Sequence, residues 1–150
     1  PPRPGEVDGK DYHFLTLEAF ETCRQKGEFL ESSEVFGRGH WYGTLQSEVG
    51  PSLAEGIWVI LEIDVDGAHQ VLQHYPDALT IFLRPSTWTE LECRLRSRGT
   101  ETEAAIQRRL QVAASELEHA EAYRYQVIND RVADAVVQIN QILANQGIHS

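Results

Sequence analysis

Two nearly unbroken apolar runs, Ile57 to Ile63 and Leu79 to Leu83, flank a helix-compatible stretch, Gly67 to His74, and this succession constrains the chain more than any other feature. Short apolar runs of this kind suit strands covered on both faces, as in a parallel sheet with crossover helices against it. Strand, helix, strand in that order predicts a right-handed crossover and an α/β core. With 150 residues, the chain can bury one sizeable core. Its longest apolar stretch, Ile57 to Leu61, is far too short to span a bilayer.

Upstream of that core the pattern is a small mixed lobe. A short strand is expected at Tyr12 to Leu15. Thr16 can then cap a helix with Leu17, Phe20 and Cys23 at helical spacing, stopped by Gly27. Phe29 to Val35 and His40 to Thr44 read as extended pieces around a Gly37-Arg38-Gly39 turn. Downstream, Thr87 with Glu90 forms a capping-box pattern for a helix through Leu91 and Leu95, and Thr100 with Glu103 repeats the device. The second of these helices carries Ile106, Leu110, Ala113, Leu117 and Ala120 on one face. A strand at Tyr125 to Ile128 precedes a last helix with Val132, Val136, Ile139 and Leu143 along one stripe.

A formal charge of −10 repels a polyanion at long range and argues against nucleic-acid polymers as partners. Against that acidic background, Arg94, Arg96, Arg98, Arg108 and Arg109 crowd one short span. Guanidinium groups bind phosphate oxygens bidentately and stay charged, although a solvated face paired with Glu92, Glu101 and Glu103 would use the same spacing. Glu62 and Asp64 stand where the first apolar run ends, a place where open parallel sheets gather ligands. Two cysteines and no opening signal peptide fit a reducing cytoplasm. The histidines show no zinc spacing. Lacking Met and opening on Pro1-Pro2-Arg3-Pro4, the chain reads as an interior segment of a longer product.

Six blocks carry a specific resemblance. They are Arg3-Pro4-Gly5-Glu6-Val7-Asp8-Gly9-Lys10-Asp11-Tyr12-His13-Phe14, Gly27 to Glu31, Trp41-Tyr42-Gly43-Thr44, Leu61 to Asp64, Arg94 through Glu101, and Val127-Ile128-Asn129-Asp130. In this order and at these spacings the chain resembles the guanylate kinases from end to end. The resemblance implies a parallel-sheet core like that of the P-loop NTPases, without its first strand and P-loop, joined to a small mixed GMP-binding lobe and a helical lid. It divides the chain into a GMP lobe at 1–47, a core at 48–93 and 119–150, and a lid at 94–118.

The same resemblance implies transfer of the γ-phosphoryl group of ATP to GMP, with Mg²⁺ accompanying ATP. Arg3, Tyr12 and Tyr42 would hold the GMP phosphate. Glu31 would accept from the guanine ring N–H and exocyclic amine, Thr44 would sit beside the guanine carbonyl, and Glu62 and Asp64 would lie near the ribose, Asp64 also reaching the metal through water. Arg94, Arg98 and Arg109 would be the catalytic arginines that bridge the nucleotides, with Arg94 and Asn129 on the ATP side. The departures are specific too. No G-x-x-x-x-G-K-[ST] motif occurs in these residues, so this segment alone is expected to be inactive. Asp66 replaces a usual Gln, and the stretch at 37–40 is two residues longer than the family pattern. The alternative is a guanylate-kinase-like scaffold domain that binds phosphopeptides without catalysis.

Overall fold

The computed structural model describes residues 2, 5–34, 39–97 and 102–147. The chain forms two compact units, residues 1–76 and 77–150.

In the first unit, α1 (Leu17–Gln25) starts at Thr16, whose hydroxyl accepts from the Ala19 N–H, and buries Phe20. Gly27 follows its C-cap with φ +68°, a left-handed turn that glycine adopts without steric cost. The chain then enters β1 (Phe29–Glu34), which pairs antiparallel with β2 (Trp41–Leu45), Glu31 standing opposite Thr44 and Ser33 opposite Tyr42. Phe20 stacks on Phe29 at 4.4 Å between ring centroids, and Arg24 lies over the Trp41 ring. Two further helices complete the unit, α2 (Gln46–Ala54) and α3 (Val65–His74). Leu30, Val49 and Val71 form its core, with Val59, Leu61 and Ile63 packed against them. Burying a side chain of Leu30's size contributes about 1.5–3 kcal/mol.

Three expectations for this unit are corrected. Tyr12 makes only an isolated bridge to Asp8, and residues 13–16 form no strand. The helix expected from Gly67 begins two residues earlier, because Asp64 caps it. The run from Ile57 to Ile63 belongs to no ladder among the described residues, and it is not covered on both faces. Trp58 is 58% and Ile60 85% exposed, while Val59, Leu61 and Ile63 face the core. Continuous apolarity had suggested burial on two sides, whereas the packing alternates residue by residue.

The second unit is built on β3 (Ile81–Arg84) and β4 (Tyr125–Ile128), parallel neighbours with Leu83 opposite Val127. The fold is therefore α/β with a parallel sheet, as the sequence predicts, although the crossover runs from β3 to β4 rather than from residues 57–63 to 79–83. The crossover contains α4 (Trp88–Ser97), α5 (Glu103–Glu118) and a short 3-10 turn at Ala120–Ala122. Thr87 caps α4 as expected, its hydroxyl accepting from the Glu90 N–H. The α5 cap is Thr102, not Thr100, which lies outside the described residues with Arg98 to Glu101. Leu95, Ile106 and Leu110 form the core with Leu91. Ala120, assigned to the long helix by its spacing, instead opens the 3-10 turn.

The last helix, α6 (Val132–Asn145), covers β4 with a stripe that keeps Ile139 and Leu143 of the one read in the sequence but not Val132 and Val136. Val132 is 74% exposed and Val136 is exposed, while Ala135 is buried and Ile139, Ile142 and Leu143 are half-buried. Both stripes satisfy the helical period, and the small Ala135 permits close approach to the sheet. Among the described residues, no helix is long and apolar enough to cross a membrane.

Candidate functional site

Alternation along the β1–β2 ribbon collects the predicted guanine-reading groups. Residues two apart on a strand share a face, so Glu31 and Ser33 project with their partners Thr44 and Tyr42. Glu31 is the buried charged residue of the described chain, only 5% exposed. The Thr44 hydroxyl donates to Glu31 Oε1 at 2.6 Å. Burial pushes the Glu31 carboxyl above its ordinary value, the Thr44 hydroxyl opposes that shift, and the nearby Asp64 charge reinforces it.

Asp64 spends both oxygens locally. Its Oδ1 accepts from the Gly67 N–H at 2.8 Å as the cap of α3, and its Oδ2 accepts from the Ser33 hydroxyl at 2.8 Å. The metal role expected for this carboxylate is an indirect one, through water, and needs no metal cage. Among the described residues, no trio of His, Cys, Asp or Glu could hold an ion. Glu62, exposed on the preceding segment, is not drawn into this hydrogen-bond set.

Tyr12 joins the group from the loop before α1, its ring edge-on to Tyr42 at 5.8 Å between centroids. Asp8 and Asp11 shape that loop by accepting from the Phe14 and Val7 N–H groups, each at 2.8 Å. Tyr12, Glu31, Tyr42, Thr44 and Asp64 are thus assembled in the first unit, while Arg3 lies outside the described residues. Ser33, Gly67 and Gln70 were not singled out in the sequence. Ser33 could have been found by its two-residue offset from Glu31, and Gly67 by the Asp64-Val65-Asp66-Gly67 cap pattern.

In the second unit Arg94 and Asn129 come together. From α4, Arg94 donates through Nε to Glu90 at 2.7 Å, and through its two terminal nitrogens to the carbonyls of Asn129 and Asp130. Asn129 continues the β3–β4 ladder by donating its N–H to the Arg84 carbonyl at 2.8 Å. Asp130 accepts from the Ser86 N–H, and hydrogen bonding by the Ser86 side chain first, then by this N–H, with a lesser aid from the Arg94 charge, holds its carboxyl below the usual range. Leu83, Arg84, Pro85, Leu91, Arg94 and Asn129 line a small cavity of about 110 Å³. Arg109 is half-buried on α5, and Arg98 lies outside the described residues.

Arg96, an exposed side chain of α4, has a definite structural task. It donates to Glu92 and, with both terminal nitrogens, to Glu103, joining the end of α4 to the start of α5. Arg96 first, then Gln107, holds the Glu103 carboxyl down at about 2. A depressed carboxylate contributes stability fully above its ordinary range and loses it as pH falls toward the folded value. The groups are exposed, so the contribution is small. Arg96→Gln should therefore flatten only the acid limb of stability against pH, as read in urea melts from pH 5 downward. Superimposable curves for the two proteins would remove the clamp.

Comparison with known proteins converges on one family. The guanylate kinase family model matches residues 1–146. A guanylate kinase of Rhodopirellula baltica is 50% identical over 147 residues, covering 97% of this chain and 70% of its own length. One from Nitrosococcus oceani is 45% identical over 146 residues, covering 97% and 71%. The crystal structure of guanylate kinase from Anaplasma phagocytophilum superposes with a TM-score of 0.79 at 29% identity, over all of this chain and 72% of that one. A match this long, to sequences and to a fold, makes this chain a member of the guanylate kinase family.

Proposed function

We propose that the first unit selects GMP and that the second supplies ATP-side contacts for phosphoryl transfer giving GDP and ADP. The observation that carries the reading is the buried Glu31 carboxylate bonded to Thr44. An ionised carboxylate only accepts, and guanine's ring N–H and exocyclic amine only donate, so the two edges are complementary. Adenine places a ring acceptor against the same oxygens, leaving two acceptors face to face. The Thr44 hydroxyl has one proton, which it gives to Glu31 in this structure. When guanine supplies donors to Glu31, that proton is free to turn toward the guanine carbonyl.

Tyr12 and Tyr42 supply phenolic donors for the GMP phosphate, and Arg3 adds charge-assisted ones. Glu62 and Asp64 stand toward the ribose. On the ATP side, Arg94 and Asn129 contribute contacts, and Arg94, Arg98 and Arg109 neutralise the transferring group's charge. Mg²⁺ enters bound to the ATP phosphates, with oxygen ligands and waters of its own. We assign residues 1–47 to the GMP lobe, 48–93 with 119–150 to the core and 94–118 to the lid, in a cytoplasmic setting.

Titration calorimetry of the 150-residue chain tests this reading. GMP should bind with measurable heat, AMP far more weakly, and a phosphoserine peptide not at all. Preference for the peptide would transfer the chain to a scaffold role, and no GMP binding would end the guanine reading. Without the G-x-x-x-x-G-K-[ST] loop, the chain alone should form no GDP from GMP and ATP.

A pH dependence follows from burial. GMP needs ionised Glu31, whose carboxyl burial raises above its ordinary value. Affinity should fall as pH drops through that raised value, before ordinary carboxylates titrate, with protons released on GMP binding in this window. Heats in two buffers of different ionisation enthalpy count those protons. Affinity constant down to pH 4.5 would exclude Glu31 as the reader.

A further inference from the structure

The helix α3 lies against the edge of β1 that β2 leaves open. The Gln70 amide takes the place of a neighbouring strand there: Oε1 accepts from the Ser32 N–H at 3.1 Å, and Nε2 donates to the Ser32 carbonyl at 3.0 Å. One turn earlier on α3 is Gly67. Its φ does not lie in the left-handed region, so no backbone strain requires glycine, and helix propensity favours alanine at such a position. What the glycine provides is room. A Cβ built at Gly67 would meet Glu31 Oε2 at 2.8 Å, Asp64 Oδ1 at 3.2 Å and Ile63 Cβ at 3.3 Å.

We propose that Gly67 is a specificity-determining position in which the missing side chain is the space occupied by the Glu31 carboxylate, while Gln70 pins α3 to β1 and fixes that spacing. The inference rests on the reading of Glu31 as the guanine acceptor. Of the three neighbours, Asp64 is held by the Gly67 N–H and Ser33, and Ile63 is packed in the core. The Glu31 carboxylate is the end of a flexible side chain, so a methyl group at residue 67 displaces it first. Displacement breaks the 2.6 Å bond from Thr44 and turns both oxygens away from the two guanine donors. The helix itself has no reason to unfold. Gly67 acts through Glu31, and is a positioning residue.

The experiment is a double-mutant cycle on the 150-residue chain, read by GMP calorimetry and thermal melts of Gly67→Ala, Glu31→Gln and the double variant. Gly67→Ala should weaken GMP binding by about tenfold or more with an unchanged or raised melting midpoint. Its effect should vanish in the Glu31→Gln background. Wild-type affinity in Gly67→Ala, equal losses in both backgrounds, or a Gly67→Ala chain that unfolds would each overturn the proposal while leaving the Glu31 reading intact, provided Glu31→Gln alone weakens GMP. If Glu31→Gln binds GMP normally, the guanine reading itself fails and takes this inference with it.

Discussion

Glu31→Gln is expected to weaken GMP binding on the order of 100-fold and, at neutral pH, to raise the melting temperature. The two effects have one origin. Glu31 is buried, and burial holds its carboxyl above the ordinary value, so at neutral pH the fold carries a charge it would be more stable without. For a raised carboxyl the folded state binds the extra proton, and stability falls as pH rises from the ordinary value through the folded one. Glutamine removes that penalty with nearly the same shape. It also presents one N–H₂ where guanine presents only donors, and a charge-assisted hydrogen bond is worth about 1.5–3 kcal/mol.

AMP should move the other way, because an amide can donate to adenine's ring nitrogen and accept from its amine. Selectivity would shrink from both sides. Calorimetry with GMP and AMP, beside melts at neutral pH, checks the prediction. A Glu31→Gln chain that keeps its GMP preference, or melts earlier than wild type, would mean that the carboxylate stabilises the fold rather than reading the base.

The site residues were legible through the resemblance of the Gly27–Glu31, Trp41–Thr44 and Leu61–Asp64 blocks to guanylate kinases, while the strands and caps that carry them follow short-range rules. Thr16, Thr87 and the Phe29–Leu45 ribbon follow from local chemistry, and the ribbon's period of two brings Glu31, Thr44 and Tyr42 to one face. Long-range partners have no such rule. That Gln70 would complete the free edge of β1, or that Ser33 would occupy Asp64, depends on how α3 docks rather than on any spacing. The same limit explains the run at 57–63, where apolarity was visible but the number of covered faces was not. On α6 two stripes fitted one period, and packing against β4 chose the one containing Ala135.

Arg94→Ala should lower kcat on the order of 10³-fold in a form of the protein that also carries a Gly-rich phosphate loop, by analogy with other transition-state arginines. In this structure the Arg94 guanidinium has three directed bonds, to Glu90 and to the carbonyls of Asn129 and Asp130. Those acceptors hold the planar group at the end of β4 beside the cavity lined by Leu83, Pro85 and Asn129. Neutral carbonyls are weaker partners than phosphate oxygens, so an arriving nucleotide can take over the terminal nitrogens while Glu90 keeps Nε. Lysine cannot reproduce the planar fork, and Arg94→Lys should lose nearly as much as Arg94→Ala.

The proposed GMP contacts lie in the first unit, so GMP affinity should stay within a few-fold of wild type in both variants, while kcat and kcat/KM fall together. Steady-state kinetics with both nucleotides varied, paired with GMP calorimetry and thermal melts, separates this from a structural role. If Arg94→Ala melts earlier yet retains turnover within a few-fold, its task is to tie α4 to the Asn129–Asp130 backbone, and the transition-state charge must be met by Arg98 and Arg109 alone.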